Sequence, residues 1–172
     1  MFQGDRLAGF LEPLEARGLL WATGRVRSSI VVVDDPGAPG KYVSLEISKA
    51  KGRIKPEIHG QDITIRISIE VQAALGEVQV QVNPELWAEY ARELEARLAA
   101  VVRAEVDTAL LRCREWGADA FGFGAAVYRK APSVWKAVDA RWTEMLAEVP
   151  VRVQVGASIF GSGVTVRSLL SR

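Results

Sequence analysis

The sequence predicts an α+β domain: an antiparallel or mixed β-sheet with one long helix and several shorter helices packed on one face. Three observations carry this expectation. Strand-like segments come in runs toward both ends of the chain, without the regular alternation of strand and helix that a parallel α/β fold requires. The clearest strand sets Ile63, Ile65, Ile67, Ile69 and Val71 on one face and Thr64, Arg66, Ser68, Glu70 and Gln72 on the other, so one face is dry and one wet. Between the runs, Leu86, Tyr90, Leu94, Leu98, Val101, Val102, Ala109, Leu110 and Cys113 keep helical spacing. With Glu89, Arg92, Glu93, Arg103 and Arg112 elsewhere on the surface, that single apolar stripe fits a helix laid across a sheet.

Taken in order, Leu7 to Leu11 reads as a short strand, and Pro13 opens a helix to about Ala22 in which Gly18 is a weak point. Arg25 to Val33 is rich in β-branched residues and ends at Asp34–Gly40, where Pro36, Gly37, Pro39 and Gly40 forbid a continuing strand and predict a mobile loop. Next, Val43, Leu45 and Ile47 alternate with Ser44, Glu46 and Ser48, but the apolar set then moves to Ile54, Pro56 and Ile58. A strand repeats every two residues, so one inserted residue produces that change of phase; a β-bulge or tight bend is expected near Lys49 to Gly52.

Asn83 can cap the long helix with Pro84 at its first position, and an unbroken run from Pro84 to Glu115 would span roughly 48 Å. Trp116 to Asp119 breaks it, and helical spacing resumes through Ala125, Ala126 and Val127 until Pro132. A further helix from Pro132 or Ser133 to Leu146 sets Trp135, Val138 and Trp142 on neighbouring turns, where the indoles should pack together. Strands close the chain: Val151, Val153, Val155, Ala157 and Ile159 alternate with polar residues, and Gly161-Ser162-Gly163 turns into Val164–Leu169. No internal repeat interrupts this order, so residues 1–172 read as one domain, with distant strands to pair and slow folding as the consequence.

Composition narrows the function classes. With 49% apolar and 25% charged residues the chain can bury a core without disulfides or metal. A net charge of +1 lacks the basic field of a non-specific nucleic-acid binder, so no nucleic-acid partner is expected. One cysteine, Cys113, excludes an internal disulfide, and with one histidine it excludes the usual Cys/His zinc sites. There is no apolar run of about 18 residues, and Met1 to Asp5 has neither the basic start nor the apolar region of a signal peptide. As given, the chain is expected to be soluble, whatever a longer parent protein carries.

Few residues stand in patterns that carry chemistry. Gly122-Phe123-Gly124 lacks the third glycine of a dinucleotide fingerprint, since Val127 stands there; close packing or a turn is expected instead of phosphate binding. His59 falls at a hairpin turn, and Cys113 lies on the apolar stripe, where a buried, inert thiol is expected. No serine sits in a Gly-x-Ser-x-Gly elbow, and Glu15, Glu46, Glu57 and Glu70 are too scattered to form a carboxylate pair. Asp119, just before a helical segment, is placed to accept from free N–H groups as a cap, with catalysis as the alternative. No catalytic residue, metal or cofactor is therefore assigned. Lys49, Lys51, Arg53 and Lys55 occupy alternate positions and share one face of an extended strand at roughly 6.6 Å spacing. They protect an edge strand from aggregation, together with Pro56, or they form a surface for anionic membrane or a partner protein.

Several segments, in order, resemble the carboxy-terminal domain of the Ger(x)C spore-germination lipoproteins, the C subunits of bacterial nutrient germinant receptors. They are Gly4–Gly9, Arg17–Trp21, Val43–Ile47 and Arg53–Ile58, then Asp119-Ala120-Phe121-Gly122-Phe123-Gly124, then Pro132, Trp135-Lys136 and Trp142, and last the alternating valines before Gly163. The resemblance covers nearly the whole chain. It implies a structural role for Asp119, Phe121, Gly122, Gly124, Pro132, Trp135 and Trp142, and no enzyme activity. It also implies a subunit of a receptor complex at the inner spore membrane, beside a membrane-spanning A subunit and a transporter-like B subunit. Family members are tethered through a lipid on an amino-terminal cysteine that this chain lacks; Cys113 is not that cysteine, because it lies inside a predicted helix. Phe160–Gly163 departs from the family pattern, where a more basic approach to the last glycine is expected. A small-ligand or lipid-binding module, with a cavity between sheet and helices, is the alternative function. An enzyme would need His59, Asp119 and a serine or Cys113 brought together in a cleft.

Overall fold

A computed structural model describes residues 2–3, 6–60, 62–76 and 86–160. Strands β1 (Phe2–Gln3) and β2 (Arg6–Leu7) form a two-stranded antiparallel pair ahead of helix α1 (Pro13–Thr23). Then come β3 (Ser29–Asp34), β4 (Tyr42–His59) and β5 (Asp62–Leu75), and after them the long helix α2 (Trp87–Glu115). Helices α3 (Phe123–Lys130) and α4 (Pro132–Val138), a 3-10 turn (Asp139–Arg141) and α5 (Trp142–Glu148) lead to β6 (Val151–Phe160). The α+β class holds.

The main sheet has the order β3-β4-β5-β6, and it is mixed: β3, β4 and β5 pair antiparallel, while β6 runs parallel to β5 with Val151 opposite Ile65. A hairpin joins antiparallel neighbours, whereas a parallel pair needs a long crossover, and the helices supply it. Inward side chains Val31, Val33, Val43, Leu45, Ile47, Ile65, Ile67 and Ile69 meet Leu94, Leu98, Val102 and Val106 of α2 and Trp21 of α1 in one core. Hydrogen bonds from Arg103 to the Val153 carbonyl and from Ile159 N–H to Glu95 tie α2 to β6.

The change of phase in β4 comes from a bulge at Ser48. Ile47 sits opposite Ala73 and Lys49 opposite Gln72, so Ser48 is the extra residue, one place ahead of the predicted window. Its hydroxyl donates to the Gln72 carbonyl at 3.1 Å, and beyond it Ala50, Ile54, Pro56 and Ile58 turn toward the core side.

Two buried carboxylates join α1 to α2. Glu105 accepts from Trp21 Nε1–H at 2.8 Å and is ion-paired with Arg17; Glu15 accepts from Arg112 Nε–H at 2.9 Å and from the Glu12 N–H at 2.9 Å. The Glu12 N–H, and then Arg112, hold the Glu15 carboxyl below the usual carboxylate range. Gly18, expected as a weak point, lies against the Glu105 backbone, where a Cβ would collide. The missing side chain lets the two helices cross closely.

Three expectations are corrected. The strand over Leu7–Leu11 is confined to Arg6–Leu7, and Phe10 is 80% exposed. The loop expected to be mobile is tied down: Asp35 is buried and accepts from Tyr90 Oη–H at 3.2 Å and Gly37 N–H at 2.8 Å, while its own N–H bonds the Lys41 carbonyl. The single helix from Pro132 to Leu146 is broken at Asp139, whose carboxylate accepts the Ala140 N–H at 2.7 Å. Asn83, Pro84, Gly4, Asp5, Gly161–Gly163 and Val164–Leu169 lie outside the described residues. Among the described residues no helix is long and apolar enough to cross a membrane.

Candidate functional site

Asp119 sits in the turn after α2. Its Oδ1 accepts the Phe123 N–H at 2.8 Å, and its Oδ2 accepts the Gly124 N–H at 2.7 Å and Trp142 Nε1–H at 3.0 Å. It therefore caps α3 from outside the helix, because the N-cap position itself is Gly122, which has φ 72° and no side chain to offer. Gly124 faces the indoles: a Cβ there would lie 2.7 Å from Trp135 Cη2 and 2.8 Å from Trp142 Nε1. Trp135 and Trp142 meet edge to face at 5.2 Å, and Phe121 stacks on Phe123, also at 5.2 Å. Trp142 is buried and Trp135 only half-buried; Pro132 is exposed at the first position of α4.

This constellation packs helices, and among the described residues the reactive side chain beside it is the buried Cys113 thiol, next to Ala120 and Asp119. His59 is exposed at the β4–β5 turn, and among the described residues no hydrogen bond joins it to Asp119 or Cys113. Burial pushes the Cys113 thiol up to about 11, far from a thiolate at neutral pH. No group of three or more His, Cys, Asp or Glu among the described residues is placed to hold a metal.

The sheet face away from the helices has two ends of different character. Ile30, Val32, Tyr42 and Phe160 are exposed at one end, each more than half. Past the bulge, Lys49, Lys51, Arg53 and Lys55 project from the same face of β4, across from Gln72, Glu70, Ser68 and Arg66 of β5. Here lies a groove of about 610 Å³, lined by Lys51, Arg53, Lys55, Pro56, Glu57, Arg66, Ser68, Glu70 and Lys130. Lys130, in the last turn of α3, reaches round the strand and donates to the Pro56 carbonyl at 2.7 Å. Arg66 Nη2 pairs with Glu57 at 2.6 Å, while its buried Nε has no partner.

Both sequence readings of the basic row touch this geometry. β3 begins only opposite Ile47, so over Lys49–His59 one side of β4 is an edge among the described residues. That edge is closed against strand addition, because Gly52 packs against the Trp21 and Ala22 carbonyls of α1 and Pro56 has no N–H to give. Alternation revealed the four cations on β4. Arg66 joins them only through the strand register, and Lys130 through a contact 74 residues distant in sequence, for which no local signal exists. The groove lies on the opposite face of the sheet from the sheet–helix interface where the alternative, ligand-binding reading needs a cavity; there Leu45, Ile65, Ile67, Leu94 and Leu98 are wholly buried.

Comparison with known proteins sets the frame. Spore germination protein YndF of Bacillus subtilis (strain 168) is 24% identical over 158 residues, which are 91% of this chain and 39% of that protein. Spore germination protein B3 of the same organism is 24% identical over 160 residues, 92% of this chain and 42% of that protein. The chain thus spans about two fifths of the length of these curated relatives. A crystal structure of the GerBC protein superposes with a TM-score of 0.76 at 22% identity, over 88% of this chain and 47% of that one, a likeness of fold. The family described as spore germination B3/GerAC like, C-terminal, matches residues 1–163, and the chain belongs to that family.

Proposed function

We propose that residues 1–172 form the carboxy-terminal domain of a nutrient germinant-receptor C subunit that works in spore germination through protein–protein contacts and not by turnover. The family match over residues 1–163 carries this reading. The chemistry of the fold supports it: three N–H donors occupy the Asp119 carboxylate, the Cys113 thiol is buried, and among the described residues no hydrogen bond joins His59 to either. In this reading Asp119, Phe121, Gly122, Gly124, Pro132, Trp135 and Trp142 build the helical layer, and the surfaces of that layer and of the sheet meet partners. Those partners are the A and B subunits of the receptor, at the inner spore membrane, where the full-length parent is held by its lipid anchor.

A pull-down tests it. The immobilised chain is offered the soluble parts of candidate A and B subunits, and specific retention of at least one is the expected result. Retention of neither, by a chain shown to be folded, would overturn the reading.

A further inference from the structure

We propose that the groove on the open face of β4 and β5 docks an acidic, extended segment of a partner polypeptide. Five cations, Lys51, Arg53, Lys55, Arg66 and Lys130, line it against two carboxylates, Glu57 and Glu70, an excess of three positive charges in a chain whose net charge is +1. The carboxylates do not neutralise the row. Glu57 is taken by Arg66, and Glu70 leans the other way, over Gly156, where a Cβ would lie 2.6 Å from its Oε2. Among the described residues Lys51, Arg53 and Lys55 enter no ion pair, although they stand side by side and repel one another. Charge complementarity therefore calls for an anionic occupant.

Shape and spacing select its kind. Alternate residues of a strand repeat at about 6.6 Å, the same interval as carboxylates at alternate positions of another extended chain. The row from Lys51 to Lys55 covers about 13 Å, more than one small anion meets. A flat bilayer touches only the rim of a concave groove. A spare donor is present at the wall: the Lys130 ammonium, with three N–H donors, spends one on Pro56. Because the β4 edge is closed, the segment lies across the face and is held by its side chains. That the occupant is a protein deepens the receptor-subunit reading and rests on it; the peptide measurement below does not.

Fluorescence anisotropy tests the groove with a labelled ten-residue peptide alternating Glu and Thr, against the full 172-residue chain. Saturable binding that weakens as salt rises is expected, with no binding of the matching Gln-Thr peptide. Lys51→Glu with Arg53→Glu should weaken it at least tenfold, Lys51→Gln with Arg53→Gln should weaken it less, and Lys136→Glu on α4 should leave it unchanged. Circular dichroism confirms that each variant is folded. No saturable binding, or equal weakening by Lys136→Glu, would overturn the proposal. Tripolyphosphate or phosphatidylglycerol vesicles binding more tightly than the peptide, with the same sensitivity to the two groove variants, would overturn the choice of a polypeptide occupant. A receptor subunit captured in the pull-down while the peptide fails to bind would sink the groove and leave the receptor-subunit reading standing; the reverse pattern would do the opposite.

Discussion

The carboxylate of Asp119 joins three places that the chain order separates: the turn after α2, the first turn of α3 and the indole of Trp142 on α5. A cap alone is worth about 1 kcal/mol, and a third donor to the same charge adds to that. Asp119→Ala should therefore lower stability by about 2 kcal/mol in urea unfolding, and Asp119→Asn, which keeps one acceptor, by less. An unchanged midpoint for the alanine variant would show that the three bonds contribute nothing. Gly122 and Gly124 serve the same junction differently. The first supplies a left-handed turn that an L side chain resists, and the second leaves room for two indoles.

At the scale of elements, the break between α4 and α5 decides how the tryptophans share their work. Asp139 draws the Ala140 N–H to its own carboxylate, the helix gives way to a 3-10 turn, and the two indoles meet across that turn. Trp142 goes into the core at 7% exposure, whereas Trp135 is only partly buried at the edge of the core. Trp142→Ala should cost about 3–5 kcal/mol and Trp135→Ala about 1–2 kcal/mol, read from chemical denaturation of each variant. Equal losses would mean that the indoles are buried alike. The bulge at Ser48 acts at this scale too: it turns Pro56 and Ile58 toward the core side and leaves Lys49, Lys51, Arg53 and Lys55 on the open face.

For the whole molecule, stability is coupled to pH through groups that fasten distant parts of the chain. Tyr90 on α2 donates to Asp35 beside β3; burial, and then the negative charge of Asp35, push its hydroxyl up to about 12. An unfolded tyrosine titrates near about 10, so this contribution is complete below about 10 and is lost as pH rises toward about 12. Urea unfolding should show stability falling across that window, and Tyr90→Phe should flatten the fall. The same slope in the variant would assign it to other groups. Glu15 has the opposite sign: its lowered carboxyl stabilises the fold above the ordinary carboxylate value, and that contribution is lost as pH falls further.

The spacing of side chains along single segments was enough to determine the α+β class, the alternating face of β5, the apolar stripe of α2, the change of phase in β4 and a capping place for Asp119. These are local properties, set by the periods of strand and helix. The family, too, was legible, through short segments kept in order. Only the tertiary structure decided that β6 runs parallel to β5, that Ser48 is the extra residue, that Trp135 stays partly in water, and that Arg66 and Lys130 join the lysines of β4. Register and strand order arise from contacts between residues far apart in the chain, and a one-residue slip exchanges the two faces of a strand, so periodicity within a segment does not choose among them.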